Sequence, residues 1–155
     1  MKNKFNLGCL LILSLMLFSS TCSTDDDAND NNNIAEIQNI KNQAQSGSWI
    51  VTYYFDTDQD ETSNFQGYSF TFNSDGELVA VKDSETVEGT WSVTASNSNV
   101  DSNDDIDFNI SFLSPANFEE LSDDWDILQY SSSIIELIDI SGGNGGTDYL
   151  TFEKL

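Results

Sequence analysis

The residues with the most chemical potential in this chain are carboxylates. Of 155 residues, 27 are Asp or Glu, against five Lys and no Arg or His, and the formal charge is −22 at neutral pH. Asp56, Asp58 and Asp60 alternate, with Glu61 beside them, and hard oxygen ligands at alternate positions suit Ca²⁺. Helix-loop-helix calcium loops place Gly sixth and Glu twelfth, whereas a count from Asp56 finds Glu61 and Gly67 there. A second run, Asp101, Asn103, Asp104 and Asp105, fails the same test with Ile106 and Phe112. A third, Glu119, Glu120, Asp123, Asp124 and Asp126, is interleaved with Leu121 and Trp125 and reads as a charged connection. Ca²⁺, on Asp56, Asp58 and Asp60 first and on the second or third run as alternatives, is the one cofactor candidate, set against the simpler reading of solvated acidic turns.

Other chemistry is excluded by residue type. Without His, the usual general base and the usual transition-metal ligand are missing, so Ser-His-Asp triads, Cys-His pairs and His-built zinc sites cannot form. Paired carboxylates hydrolyse glycosides without His, but among so many acids no spacing marks a catalytic pair. Five lysines are too few to neutralise a phosphate backbone, which excludes nucleic acid as a partner. Gly142, Gly143, Gly145 and Gly146 lack a following helix and lysine, so they form a flexible turn and not a phosphate cradle. The expectation is a protein that is not an enzyme.

The two cysteines lie near the start. Met1 to Lys4 carry two lysines, Leu7 to Phe18 are almost wholly apolar, and Ser19, Ser20 and Thr21 lead into Cys22, the pattern of a secretory signal peptide. As a helix, the apolar run would span about 18 Å, well short of a hydrocarbon core about 30 Å thick, so no permanent span is expected. The segment resembles the lipobox of bacterial lipoproteins, with Ser19 where Leu is usual and Thr21 where Gly or Ala is usual. That resemblance implies cleavage before Cys22 and a diacylglyceryl group on its sulfur, with Cys9 removed. Two acyl chains, at about 0.8 kcal/mol per buried methylene, would anchor the protein to a membrane. The alternative is plain secretion with Cys22 as an unpaired thiol, which exported proteins avoid. Asp25 to Asp27 after the cysteine resemble the export signal of Bacteroidetes-type lipoproteins, which implies an outer-membrane, lipid-anchored protein facing outward. A merely soluble spacer is the competing reading.

The remaining chain must position whatever the protein binds. Residues 1–21 read as the signal peptide and 22–33 as a lipidated acidic tether with too little apolar content to fold. Asn33 with Glu36 resembles a capping pair, and Ile34, Ile37, Ile40 and Ala44 recur at helical spacing, which predicts a short helix over 34–46 docked on the following domain. From Trp49 the period becomes two. Trp49, Val51, Tyr53 and Phe55 would share one face of a strand, and Tyr68, Phe70 and Phe72 one face of the next. Leu78 to Val81, Val87 to Val93, Ile106 to Phe112, Trp125 to Tyr130, Ile134 to Ile140 and Asp148 to Phe152 supply six more. Ser114 and Pro115 open a turn or two of helix carrying Phe118 and Leu121. The fold class expected over 47–155 is all-β: an antiparallel meander of about eight strands that closes into a barrel or folds into a sandwich.

Gly47-Ser48-Trp49, Gly89-Thr90-Trp91-Ser92-Val93 and Tyr149-Leu150-Thr151-Phe152-Glu153-Lys154 resemble the lipocalin-like lipoproteins of Bacteroidetes. Lipocalins carry Gly-x-Trp on the first strand and lay an Arg over that Trp from the far end of the chain; here Arg is absent. The resemblance implies a lipocalin-like barrel with a binding role. Inward Trp49, Tyr53, Phe55, Tyr68, Phe70, Phe72, Trp91 and Phe108 would either line a cavity for a small apolar ligand or fill a small barrel, since eight strands permit both. A surface glycan or protein partner, and a structural or calcium-dependent adhesion module with a filled barrel, are the other readings. Oligomeric state is not legible.

Overall fold

The computed structural model describes residues 27–95, 106–140 and 146–155. Helix α1 (Asp27–Ala44) leads into β1 (Ser48–Asp56), a two-residue strand β2 (Gln59–Asp60), a 3-10 turn (Thr62–Phe65), β3 (Ser69–Phe72) and β4 (Glu77–Lys82). There follow β5 (Glu85–Ala95), β6 (Ile106–Phe112), a one-turn helix α2 (Ala116–Glu119), β7 (Asp123–Tyr130), β8 (Ile134–Ile140) and β9 (Thr147–Lys154). Each strand pairs antiparallel with its successor from β3 to β9, and β1 pairs with both β3 and β9. Eight strands therefore close a barrel, with β2 folded back on the end of β1 through Phe55 opposite Asp60. Closure removes the free edges that a meander would otherwise expose.

The strands lie where period-two alternation predicts them. In β6 the inward Phe108, Ile110 and Phe112 are buried between outward Asp107, Asn109 and Ser111. The β3–β4 turn uses Gly76 at φ +89°, a conformation costly for other residues, while Asp75 accepts a bond from the Glu77 amide at 3.2 Å. Helix α1 begins at Asp27, before the predicted Asn33 start, so Asn33 lies inside it and is not its cap. Its C-terminal half meets the barrel through buried Ile40 and Ala44 and partly buried Ile37, while Ile34 is exposed.

β1 departs from simple alternation. Its register with β9 runs from Trp49 opposite Lys154 to Val51 opposite Phe152, then resumes at Tyr53 opposite Thr151. Thr52 is thus an extra residue, and a bulge of one residue swaps every later side chain between faces. Tyr54 goes inward, 1% exposed, while Tyr53 and Phe55 turn out, correcting their predicted inward positions.

Candidate functional site

The interior is the first place to look for a site. Trp49, Phe70, Phe72 and Phe108 are at most 1% exposed, and Tyr68 and Trp91 are also buried. These six predicted lining residues do converge. They belong to one core cluster, in which Phe72 packs edge-on against Trp91, Phe108 and Phe152 at ring separations of 5.2, 5.5 and 5.4 Å. Phe118 of α2 closes the far end, with rings of Phe65, Tyr68 and Phe112 at 5.4, 5.0 and 5.0 Å. Edge-to-face pairs at such spacing each stabilise by about 0.5–1.5 kcal/mol beyond area burial.

The polar tips of these rings fasten the barrel's two ends. Trp49 Nε1 donates to the Ala44 carbonyl at 2.8 Å, holding α1 to one end, and Trp91 Nε1 donates to the Asn73 carbonyl at 2.9 Å in the turn beside it. At the other end Trp125 Nε1 donates to the Leu121 carbonyl at 3.1 Å, and the Tyr54 hydroxyl to the Glu120 carbonyl at 2.7 Å. Among the described residues no buried side-chain nitrogen or oxygen lacks a partner. Lys154 spans the α1 end: its Nζ lies 5.5 Å from the Trp49 ring centre and donates to Ser46 Oγ at 2.7 Å. A Cβ on Gly47 would stand 2.8 Å from Lys154 Cε, so a larger residue there would push the lysine's flexible end aside.

Carboxylates gather at the α2 end. Burial, then the bond to Asp124 and the charges of Asp139 and Asp124, push Asp123 up to about 6. Burial and the neighbouring Glu61 raise Glu120, and burial with Asp56, Glu120, Asp148 and Glu61 raises the Tyr54 phenol. Of the metal candidates, Asp60 is held low by its bonds to Thr62, whose amide donates to Asp60 Oδ1 at 3.0 Å, and Asp58 is exposed in the β1–β2 turn. Among the described residues no three acidic or cysteine side chains converge as a metal site. Cys22, the second acidic run at 101–105 and the glycines 142–145 lie outside the described residues.

What sequence reasoning missed is on the outside. Tyr53 stacks beside Phe55 at 6.3 Å with planes 18° apart, and Tyr149 is 6.5 Å from Tyr53. A bulge leaves no mark in composition, and in Val51-Thr52-Tyr53-Tyr54-Phe55 either register buries an aromatic.

Fold and interior define an all-β protein with a closed eight-stranded barrel whose core is packed aromatic side chains. In comparisons with known proteins, no family model and no curated protein matches the chain. Among solved structures the chain is similar to that of a DUF4847 family protein from Bacteroides vulgatus, at 17% identity and a TM-score of 0.46, over 75% of this chain and 97% of that one.

Proposed function

We propose that this chain is a non-catalytic, lipid-anchored protein of the outer membrane whose barrel is a filled scaffold and whose binding surface is the outer wall. The observation that carries this reading is the interior, where the rings predicted to line a ligand cavity contact one another and α2 closes the end. A small apolar ligand would have to displace those rings at a cost of several edge-to-face contacts. The anchor rests on the signal segment and Cys22. The lipocalin-like resemblance gains support at the α1 end, where Lys154 from the far end of the chain covers Trp49 in the manner of the lipocalin Arg.

The test uses the full chain and its Cys22→Ala form. The substitution is expected to move the protein from the membrane to the soluble fraction, and continued sedimentation with membranes would overturn the anchor. Native mass spectrometry of the released form is expected to give the bare polypeptide mass, and an exchangeable apolar adduct would overturn the filled scaffold.

A further inference from the structure

The barrel wall parts at one corner of the α1 end. β7 pairs with β6 only from Asp123 opposite Ile110 to Asp126 opposite Asp107, while on its other side it stays paired with β8 as far as Tyr130 opposite Ile135. Among the described residues, no strand covers the β6 side of residues 127–130. The β8 ladder skips Leu128 within this stretch, passing from Ile127 to Gln129, and the extra residue stands 55% exposed. A groove of about 590 Å³ follows the uncovered stretch and is bounded on its far side by α1 through Glu36 and Ile40. Ile40, Ile106 and Ile127 give it an apolar lining, whereas its charged lining residues, Glu36 and Asp126, are both acids. Asp107 faces Asp126 across the last rung. The Tyr130 hydroxyl donates to Glu36 Oε1 at 2.8 Å and accepts from Asn39 Nδ2 at 3.1 Å, which pins α1 to the end of β7 and sets the groove's width.

We propose that this groove binds an extended cationic peptide segment of a partner protein, added as a strand along residues 127–130 of β7, which gives the surface-binding reading above a place and a partner class and rests on it. Backbone geometry selects an extended chain. Where a ladder ends but its strand continues, amides and carbonyls remain at the spacing that another extended backbone matches, the basis of recognition by strand addition. Side chains of an added strand point alternately to opposite faces, so apolar members reach the isoleucine lining while the members between them reach the rim. Charge selects lysine or arginine for those positions. Glu36 and Asp126 border the groove, and the chain's formal charge of −22 steers cationic partners toward it and repels anionic ones. A second copy added along the same edge would bring its own Glu36 and Asp126 against this pair, so self-association is opposed where a basic segment is attracted.

The experiment is fluorescence anisotropy of a short labelled peptide of alternating lysine and valine, titrated with the full chain in a polyoxyethylene detergent at about 0.15 M salt, where charges more than about 8 Å apart are largely screened. The peptide is expected to bind and its glutamate–valine counterpart not to bind. Two further versions, N-methylated at every lysine or at every valine amide, keep the charge but lose the donors of one edge each, so at least one of them is expected to lose binding. Leu128→Lys, which sets a cation at the exposed bulge, is expected to weaken binding about tenfold and Glu36→Gln about threefold, while Glu88→Gln, the same charge change on the exposed wall of β5, leaves it unchanged. Far-UV circular dichroism establishes that the variants are folded. Failure of the lysine–valine peptide to bind would overturn the proposal, as would binding indifferent to both groove variants or retained by both methylated versions. A dimer in sedimentation that Leu128→Lys dissolves would overturn it in favour of self-association. The mass-spectrometric search for an interior adduct does not involve the peptide, so either reading can fail alone.

Discussion

The two ends of the barrel are closed by different means. At the α1 end, a helix, an indole and a lysine interlock: Trp49 donates to Ala44, and Lys154 lies over Trp49 and reaches Ser46. At the α2 end, a phenylalanine plug is surrounded by acids, with Asp123 and Glu120 both raised by burial and by neighbouring carboxylates. In a chain so short of cations, each end receives one lysine over a ring, Lys154 over Trp49 at the α1 end and Lys82 over Tyr68, 5.3 Å from its ring centre, at the α2 end. The α2 end gathers raised carboxylates that one lysine offsets only in part, so it leans more on the packing of Phe118 than the α1 end does on any single ring. The difference teaches that it is crowding of carboxylates beside buried groups, and not net charge alone, that shifts their titration.

The largest expected effect comes from removing the plug. Phe118→Ala should destabilise by about 3–5 kcal/mol, read as a lower urea midpoint, because the ring is fully buried and its neighbours Phe65, Tyr68 and Phe112 lose a common partner. A loss under about 1 kcal/mol would show that the α2 end is not held by packing. Next is Gly89→Ala in the wall between the ends. Its Cβ would lie 2.6 Å from both the Phe112 ring and the Ser111 carbonyl, so overpacking should cost about 1–3 kcal/mol.

At the α1 end, Lys154→Met keeps the aliphatic stem but removes the cation over Trp49 and the bond to Ser46, and about 1 kcal/mol should be lost. The smallest effect separates the ends by pH. Asp123 has a folded pKa near 6, above the ordinary carboxylate value of 3.8, so the folded state binds a proton that the unfolded state releases. Stability contributed at this group therefore rises as pH falls from above 6 toward 4, where the unfolded chain also protonates. The urea midpoint should increase over that window, and Asp123→Asn should flatten the rise. An unchanged pH profile in the variant would assign the effect to the general acidity of the chain.

Much of this architecture was legible in the residues. Eight strands stand where alternation of apolar and polar side chains places them, because burial on one face of a barrel wall imposes that period directly. The order of strands followed from short turns. Three features were not legible. Thr52 bulges without any compositional sign, and because Tyr53 and Tyr54 are alike, the pattern could not tell which one the core accepts. Whether inward rings fill or line a barrel depends on volumes summed across strands remote in sequence, and no local pattern reports that sum. The start of α1 lay hidden in Asn- and Asp-rich residues that favour caps and turns in isolation. The outer cluster of Tyr53, Phe55 and Tyr149 was invisible for the first of these reasons, since it exists only because the bulge turns Tyr53 and Phe55 outward.

The seam between β1 and β9 carries one more consequence. A chain emerging amino end first presents β1 roughly a hundred residues before its partner exists, so the wall cannot be sealed until β9 has followed. The pairing of Trp49 with Lys154 at the end of the chain is thus the step that shuts the cylinder.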